Sequence, residues 1–278
     1  MSKIIFSLSS IQPRRENLNL IIPNILKQCD KLYVNLVGGD NIPQISNHPK
    51  IQVNQFDKAG SEIRFFNYND IDDDSYYFTI DDDILYPLDY VRVMVDHMKK
   101  YKNKSVCCVH GSIVDLNLRS DYYRQNRIVY YFPDELSENT QVNMPGVGTS
   151  CFYKKNVNLN IKDFIVPNMS DPYTGCFLSE QNIKKVAIKR KKDWLIQLNQ
   201  FNKAIWGNNP HDEIDKVINH YKNHLINETS QNLKTRSGYE ESKIYYWSTR
   251  IKGVYAFISG LKFREIREEI LKIQGRQE

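Results

Sequence analysis

The chain has 278 residues, 41% of them apolar and 26% charged, the composition of a soluble globular protein long enough to bury a core without disulfide or metal staples. No apolar run approaches the roughly 18 residues that span a bilayer, and Met1-Ser2-Lys3 leads into Ile4-Ile5-Phe6 without a signal-peptide pattern, so a cytoplasmic location is expected. The net charge of +5 is uneven: residues 184–278 carry 19 basic and 11 acidic side chains, residues 1–183 carry 19 and 22. The tail would either meet something anionic, such as a membrane surface or an acidic glycan, or present a solvated basic face.

In chain order, Lys3 to Ser9 reads as a short apolar strand that Pro13 ends. Leu18, Ile21, Ile22, Ile25 and Leu26 then recur at helical spacing, and strands are expected at 32–37 and 51–53. Strands alternating with helices imply a largely parallel α/β sheet. Ser75 to Ile80, rich in aromatic and β-branched residues, predicts a buried strand. Pro87 fits the first position of a helix carrying Tyr90, Val91, Met94, Val95 and Met98. Ser105 to Val109 is a further strand, and residues 117–143, with tyrosines among charges, read as an excursion outside the main sheet. Residues 147–153 return as a strand, 169–181 as a helix, and 184–192 as an edge strand with basic ends. Beyond Trp206 the chain turns polar and helical, with Ile251, Val254, Tyr255, Ile258 and Leu261 on one face. Cys29, Cys107, Cys108, Cys151 and Cys176 are odd in number and lack CxxC spacing, which fits buried free thiols and indicates neither a disulfide framework nor a zinc site.

The most informative segment is the strand that ends in Asp81-Asp82-Asp83 and continues into Ile84-Leu85-Tyr86-Pro87. In open α/β sheets ligands bind at the carboxyl ends of strands, so these carboxylates would face a binding crevice. Crowding like charges there disfavours folding unless a cation is bound, and Asp81 and Asp83, as alternate residues, point the same way. Mg²⁺ or Mn²⁺, which takes oxygen ligands and commonly combines one or two carboxylates with substrate phosphates, would resolve the conflict. The earlier run Asp72-Asp73-Asp74 has no such strand before it and reads as a solvated turn.

Four segments, in order, resemble bacterial glycosyltransferases of the GT-A fold, related to family 2 and found in capsule and cell-surface polysaccharide clusters. They are Phe6-Ser7-Leu8-Ser9-Ser10-Ile11-Gln12-Pro13-Arg14-Arg15; Asp57-Lys58-Ala59-Gly60 with Arg64-Phe65-Phe66; the acidic triplet with Ile84 to Val91; and Gly146-Val147-Gly148-Thr149 with Asp163-Phe164 and Pro167 to Asp171. The resemblance covers roughly residues 3 to 195. It implies a GT-A-type, Rossmann-like, mostly parallel sheet flanked by helices, with a catalytic domain over 1–200 and a helical C-terminal extension over 201–278. The nucleotide-sugar half would span about 1–110 and the acceptor half about 111–200.

Site roles follow from the resemblance position by position. Ser9, Pro13 and Arg14 would line the nucleotide pocket, Asp57 would accept from uracil or another base, and Arg64 would meet the diphosphate. Asp81 would contact ribose or sugar, Asp82 would stand on the donor side, and Asp83 would be the principal metal ligand. Gly146 and Gly148 would let sugar or acceptor approach the backbone, or would shape a turn. Asp171 is the candidate general base of an inverting transfer, with a helix N-cap as its alternative. His110 would touch the diphosphate or the metal, or be a core histidine; Asp193 and Trp194 would lie on the acceptor side, or Trp194 would simply pack. This chain has Ser170-Asp171-Pro172-Tyr173 where the family has Ala-Asp-Ile-Trp, and Arg64 where it tends to have lysine.

The expected activity is metal-dependent transfer of a sugar, from a UDP-sugar in preference to other nucleotide donors, to a growing surface glycan or lipid-linked glycan. The basic C-terminal segment, with Trp247, Tyr255 and Phe257 near Arg250, Lys252 and Lys262, would either rest on a membrane surface or dock on the catalytic domain. Two other classes stay open: nucleotidyl transfer, although Ser9 to Arg15 lacks the glycine it calls for, and a non-catalytic glycan- or nucleic-acid-binding module. An acidic strand end repels phosphate backbones in the absence of metal, which disfavours nucleic acid.

Overall fold

In the computed structural model, which describes residues 2–39, 42–114, 127–198 and 217, the first apolar run forms β1 (Lys3–Ile11). The chain divides into two units, Met1–Asn232 and Leu233–Glu278, and every described residue belongs to the first. The predicted extension over 201–278 lies outside the described residues except for Val217.

After β1 a 3-10 segment, Gln12–Asn17, leads into α1 (Leu18–Leu26), whose Leu18, Ile21, Ile22 and Ile25 are all buried. Then come β2 (Lys31–Val37), β3 (Ile51–Phe56) and, past the 3-10 turns Ser61–Phe65 and Tyr68–Asp70, β4 (Ser75–Ile80). A two-residue β5 (Ile84–Leu85) and α2 (Tyr90–Lys100) follow, then β6 (Ser105–Cys108), β7 (Gly111–Val114) and β8 (Arg127–Tyr130). The last elements are β9 (Thr140–Val142), β10 (Met144–Pro145), β11 (Thr149–Tyr153), α3 (Ser170–Glu180), β12 (Lys184–Ala187) and β13 (Ile196–Gln197).

Among the described residues the main sheet has eight strands in the order β3-β2-β1-β4-β11-β6-β12-β9. β1 to β4 run parallel to one another and β12 parallel to β6, while β11 runs against both β4 and β6, and β9 against β12. The α/β class with a mostly parallel sheet is therefore observed as expected.

Apolar alternation distributes β1 between the two faces. Phe6 and Leu8 pack with α1 and α2, and Ile5 packs with Tyr33, Tyr77 and the aromatic layer under α3. Phe6 stacks on Phe78 of β4 with ring centroids 4.7 Å apart, a pair in which each side chain contributes roughly 1.5–3 kcal/mol on burial. The five cysteines are buried and free, and burial pushes Cys29 up to about 11 and Cys107 up to about 12. No helix among the described residues is long and apolar enough to cross a membrane.

Three local expectations are corrected. Pro87 does not open α2: the helix starts at Tyr90, and the Pro87 carbonyl accepts from Tyr90 N in the turn before it. Residues 184–187 are not an edge strand, because β12 lies between β6 and β9 and its Lys185 is fully buried with Nζ donating to Ser179 Oγ at 2.6 Å. The 117–143 segment does not stay outside the sheet. Its last part, β9, closes the edge of the main sheet, while β8 pairs with β7 in a three-stranded sheet with β10.

Candidate active site

The sheet order defines the place of the site. From β1 the chain winds outward through β2 and β3, then returns to the other flank of β1 for β4. Such a reversal leaves a crevice at the carboxyl ends of the two strands flanking it. Here those ends carry Ser9 to Ile11 at the end of β1 with Gln12 to Arg15 just beyond it, and Asp81 to Asp83 after β4.

The three carboxylates are held differently from one another. Asp82 is buried, and Arg14 Nη1 donates to it at 3.0 Å and to Asp83 at 3.1 Å. Asp81 and Asp83 keep 34% and 22% of their side chains exposed, so the crevice presents these two and not Asp82. Arg64, itself buried, donates through Nη1 to Asp81 at 2.7 Å, through Nη2 to Ser9 Oγ at 3.0 Å and through Nε to Ser61 O at 2.9 Å. Ser9, Arg64 and Asp81, each assigned to the donor side by the family resemblance, thus meet in one hydrogen-bonded set. In this state both arginines direct donors to carboxylates of the protein, a pairing that sequence alone did not suggest.

Charge remains unbalanced despite these pairs. Burial, then the charges of Asp81 and Asp82, push the Asp83 carboxyl up to about 7, against the pull of Arg14 and Arg64. Asp82 is also raised, chiefly by burial. Arg64 is raised as well: burial would lower it, but the Asp81 carboxylate leaves its guanidinium held above the usual range. Three carboxylates face two guanidinium groups here, so fixed positive charge does not fully balance the carboxylates. Among the described residues no set of three or more His, Cys, Asp and Glu side chains is gathered to hold a metal. The two partly exposed carboxylates, Asp81 and Asp83, are the side chains that could hold a hard divalent ion, which takes oxygen ligands.

Gly148 and Tyr86 shape the crevice floor. A Cβ on Gly148 would lie 1.8 Å from Asp81 Oδ2, so only glycine lets the β10–β11 connection pass beside that carboxylate. Tyr86, fully buried, donates its hydroxyl to Gly148 O at 2.5 Å and accepts from Asp81 N at 2.9 Å, joining the two backbones. Sequence alone assigns Tyr86 no role; a hydroxyl-bearing aromatic six residues past the end of β4 is the available signal. Tyr86→Phe would leave a buried N–H and a buried carbonyl short of a partner and is expected to destabilise the fold by about 1–3 kcal/mol. Urea unfolding of the two proteins checks this, and equal midpoints would show that the bridge is dispensable.

Asp171 lies within the first turn of α3, which begins at Ser170, so it does not cap its own helix. Its Oδ1 accepts from Val147 N at 2.8 Å, which ties it to the residue before Gly148. Arg64 feels its charge as well. Asp171, Arg64, Asp81 and Gly148 are thereby brought to one place.

The other candidates are spread around this centre. Pro13 is exposed on the 3-10 segment after β1, and Asp57 is exposed just past β3, on the same carboxyl edge of the sheet. Arg15, unassigned by sequence, is buried and donates to the carbonyls of Val37, Gly38 and Gly39, securing the loop after β2. His110 packs edge-on to Tyr131 and Phe132, and a Cβ on Gly146 would lie 2.6 Å from its ring. Asp193 is an exposed turn residue at φ 55°, with its N–H donating to Pro133 O. Trp194 packs against Tyr90 and donates to Asp89 at 3.1 Å, so its contacts are those of a packing residue on α2.

No family model matches the chain, and no curated protein matches it. Among solved structures it is similar to S. aureus TarS residues 1–349, with 11% identity and a TM-score of 0.43 over 88% of this chain and 78% of that one. It is also similar to the same TarS fragment in complex with UDP-GlcNAc, with 10% identity and a TM-score of 0.43 over 88% and 79%. A further TarS structure gives 11% and 0.44, over 94% of this chain and half of that one. Neither identity nor TM-score is high enough to carry function across, so the chemistry rests on this chain's own residues.

Proposed function

We propose that the chain is a metal-dependent glycosyltransferase that moves a sugar from a nucleotide-sugar diphosphate, with a UDP-sugar as the favoured donor, to a hydroxyl of a glycan or lipid-linked glycan. The observation that carries this reading is the pair of partly exposed carboxylates, Asp81 and Asp83, at the crevice where the strand order reverses, with Asp171 held on the neighbouring Val147–Gly148 connection and acting on Arg64. Two strand-end carboxylates whose charge is not fully balanced suit a metal-bridged diphosphate; a separate carboxylate suits proton removal.

In the inverting scheme, Asp171 takes the proton of the acceptor hydroxyl as that oxygen bonds to the anomeric carbon and the bond from that carbon to the diphosphate oxygen breaks. The Val147 N–H holds Asp171 Oδ1 and so fixes the carboxylate beside Gly148. Arg64 keeps Asp81 oriented and Arg14 does the same for Asp83. When bound, Mn²⁺ or Mg²⁺ would neutralise the charge that develops on the departing diphosphate. The acceptor would be a growing surface glycan of the capsule or lipopolysaccharide type, handled on the cytoplasmic side of the membrane.

The test is calorimetric titration with a panel of nucleoside diphosphates, each with and without Mn²⁺, followed by turnover assays with the matching nucleotide sugars. One nucleotide that binds only with metal, and whose sugar is turned over, is the expected result. Metal-independent binding, or none at all, would sink the reading.

A further inference from the structure

Asp171 and Arg64 stand on segments more than a hundred residues apart, and a compact set of contacts joins the turns immediately before them. Glu62 Oε1 accepts from Gly60 N at 2.9 Å, and its Oε2 accepts from Asn168 N at 3.0 Å. Asn168 returns the contact: its Oδ1 accepts from Ser61 N at 3.1 Å. The hydroxyls of Ser61 and Ser170 lie 2.8 Å apart. The two backbones are in close approach, since a Cβ on Gly60 would lie 2.4 Å from Asn168 N and 2.8 Å from Pro167 Cβ. Asn168 adopts φ 63°, a left-handed conformation that asparagine tolerates better than most residues.

Followed outward, these contacts close a ring. Ser61 O accepts from Arg64 Nε, and Arg64 Nη1 reaches Asp81. On the other side Ser170 precedes Asp171, which accepts from Val147 N, and the next residue, Gly148, lies against the Asp81 carboxylate. The Glu62–Asn168 contact joins the arginine side of this ring to the side bearing Asp171, beside the Ser61–Asn168 and Ser61–Ser170 contacts.

Resting on the glycosyl-transfer reading, we propose that Glu62 is a positioning residue that locks the turn before Arg64 to the turn before Asp171 and so sets the general base relative to the donor carboxylates. Glu62 acts through the backbone N–H groups of Gly60 and Asn168. Its loss leaves the Arg64–Asp81 pair in place and loosens the start of α3, which the Ser61 contacts alone then hold to the arginine side. Orientation then suffers more than donor binding, and small misplacements of a reacting group reduce rate steeply.

The experiment compares wild type, Glu62→Ala and Glu62→Gln in kcat, in affinity for the nucleoside diphosphate with Mn²⁺, and in amide hydrogen exchange resolved over residues 165–172. Glu62→Ala is expected to lower kcat by about 10- to 100-fold, with nucleotide affinity within about threefold of wild type and faster exchange confined to residues 165–172. Glu62→Gln, which keeps one acceptor oxygen but turns an NH₂ toward the other N–H, should fall between the two. An unchanged kcat overturns the proposal, as does a uniform rise in exchange across the chain, which would make Glu62 an ordinary stability residue. If wild type transfers no sugar, the transferase reading fails separately, and exchange alone then decides the link: unchanged protection at 165–172 in Glu62→Ala overturns it.

Discussion

Asp171→Asn is expected to lower kcat by about 10²–10⁴-fold, the usual contribution of a positioned general base. The substitution is nearly isosteric, and the amide oxygen can still accept from Val147 N, so the start of α3 keeps its place. What disappears is the capacity to take the acceptor proton. Nucleoside diphosphate binding, which depends on the other side of the crevice, should stay within about threefold, so the loss falls on kcat and not on donor affinity. Single-turnover rates at saturating donor, measured with the melting temperature of both proteins, check this. A variant within about threefold of wild-type kcat would show that another group removes the proton.

Asp83→Asn should abolish metal-dependent nucleotide binding and reduce turnover by about 10²–10³-fold, because the metal-facing oxygens lose their charge while the fold keeps its shape. The same substitution should stabilise the metal-free protein in a pH-dependent way. Burial and the neighbouring Asp81 and Asp82 raise the folded-state carboxyl to about 7, above the ordinary unfolded value near 4. The folded state therefore holds the proton more tightly than the unfolded one. Stability from this group is fully present below the unfolded value and is lost as pH rises toward and through about 7. Asparagine escapes that loss, so its melting temperature should exceed wild type at pH 8 and match it near pH 4. Wild-type affinity for Mn²⁺ should rise with pH up to about 7 and then level, since binding displaces the same proton. Equal melting temperatures at pH 8, or undiminished metal-dependent binding in the variant, would refute this account.

The strands and helices nearest the crevice were legible because their patterns are local. The apolar run of β1, the 3.6-residue spacing in α1 and the aromatic run of β4 each state their own periodicity, and the acidic triplet marks a strand end whatever the strand pairs with. Ser9, Arg64 and Asp81 were named from sequence, and the structure brings them into contact. Local reading failed where the answer depends on a neighbour. Lys184 and Lys185 suggest an edge by their charge, yet Lys185 is enclosed because β9 returns from the preceding excursion to cover β12. Pro87 suits a helix start by its fixed φ, but the turn at 87–90 delays the helix to Tyr90.

The amino-acid sequence alone was enough for the element types, for the α/β class and for the acidic strand end as the centre of interest, since each follows from side-chain pattern over a few turns or residues. Only the tertiary structure decided that Arg14 and Arg64 pair with those carboxylates, that Tyr86 bridges Asp81 to Gly148, and that Glu62 reaches Asn168. Those contacts depend on the strand order, which brings distant segments to one end of the sheet, and no local periodicity encodes which distant residue a buried donor will meet.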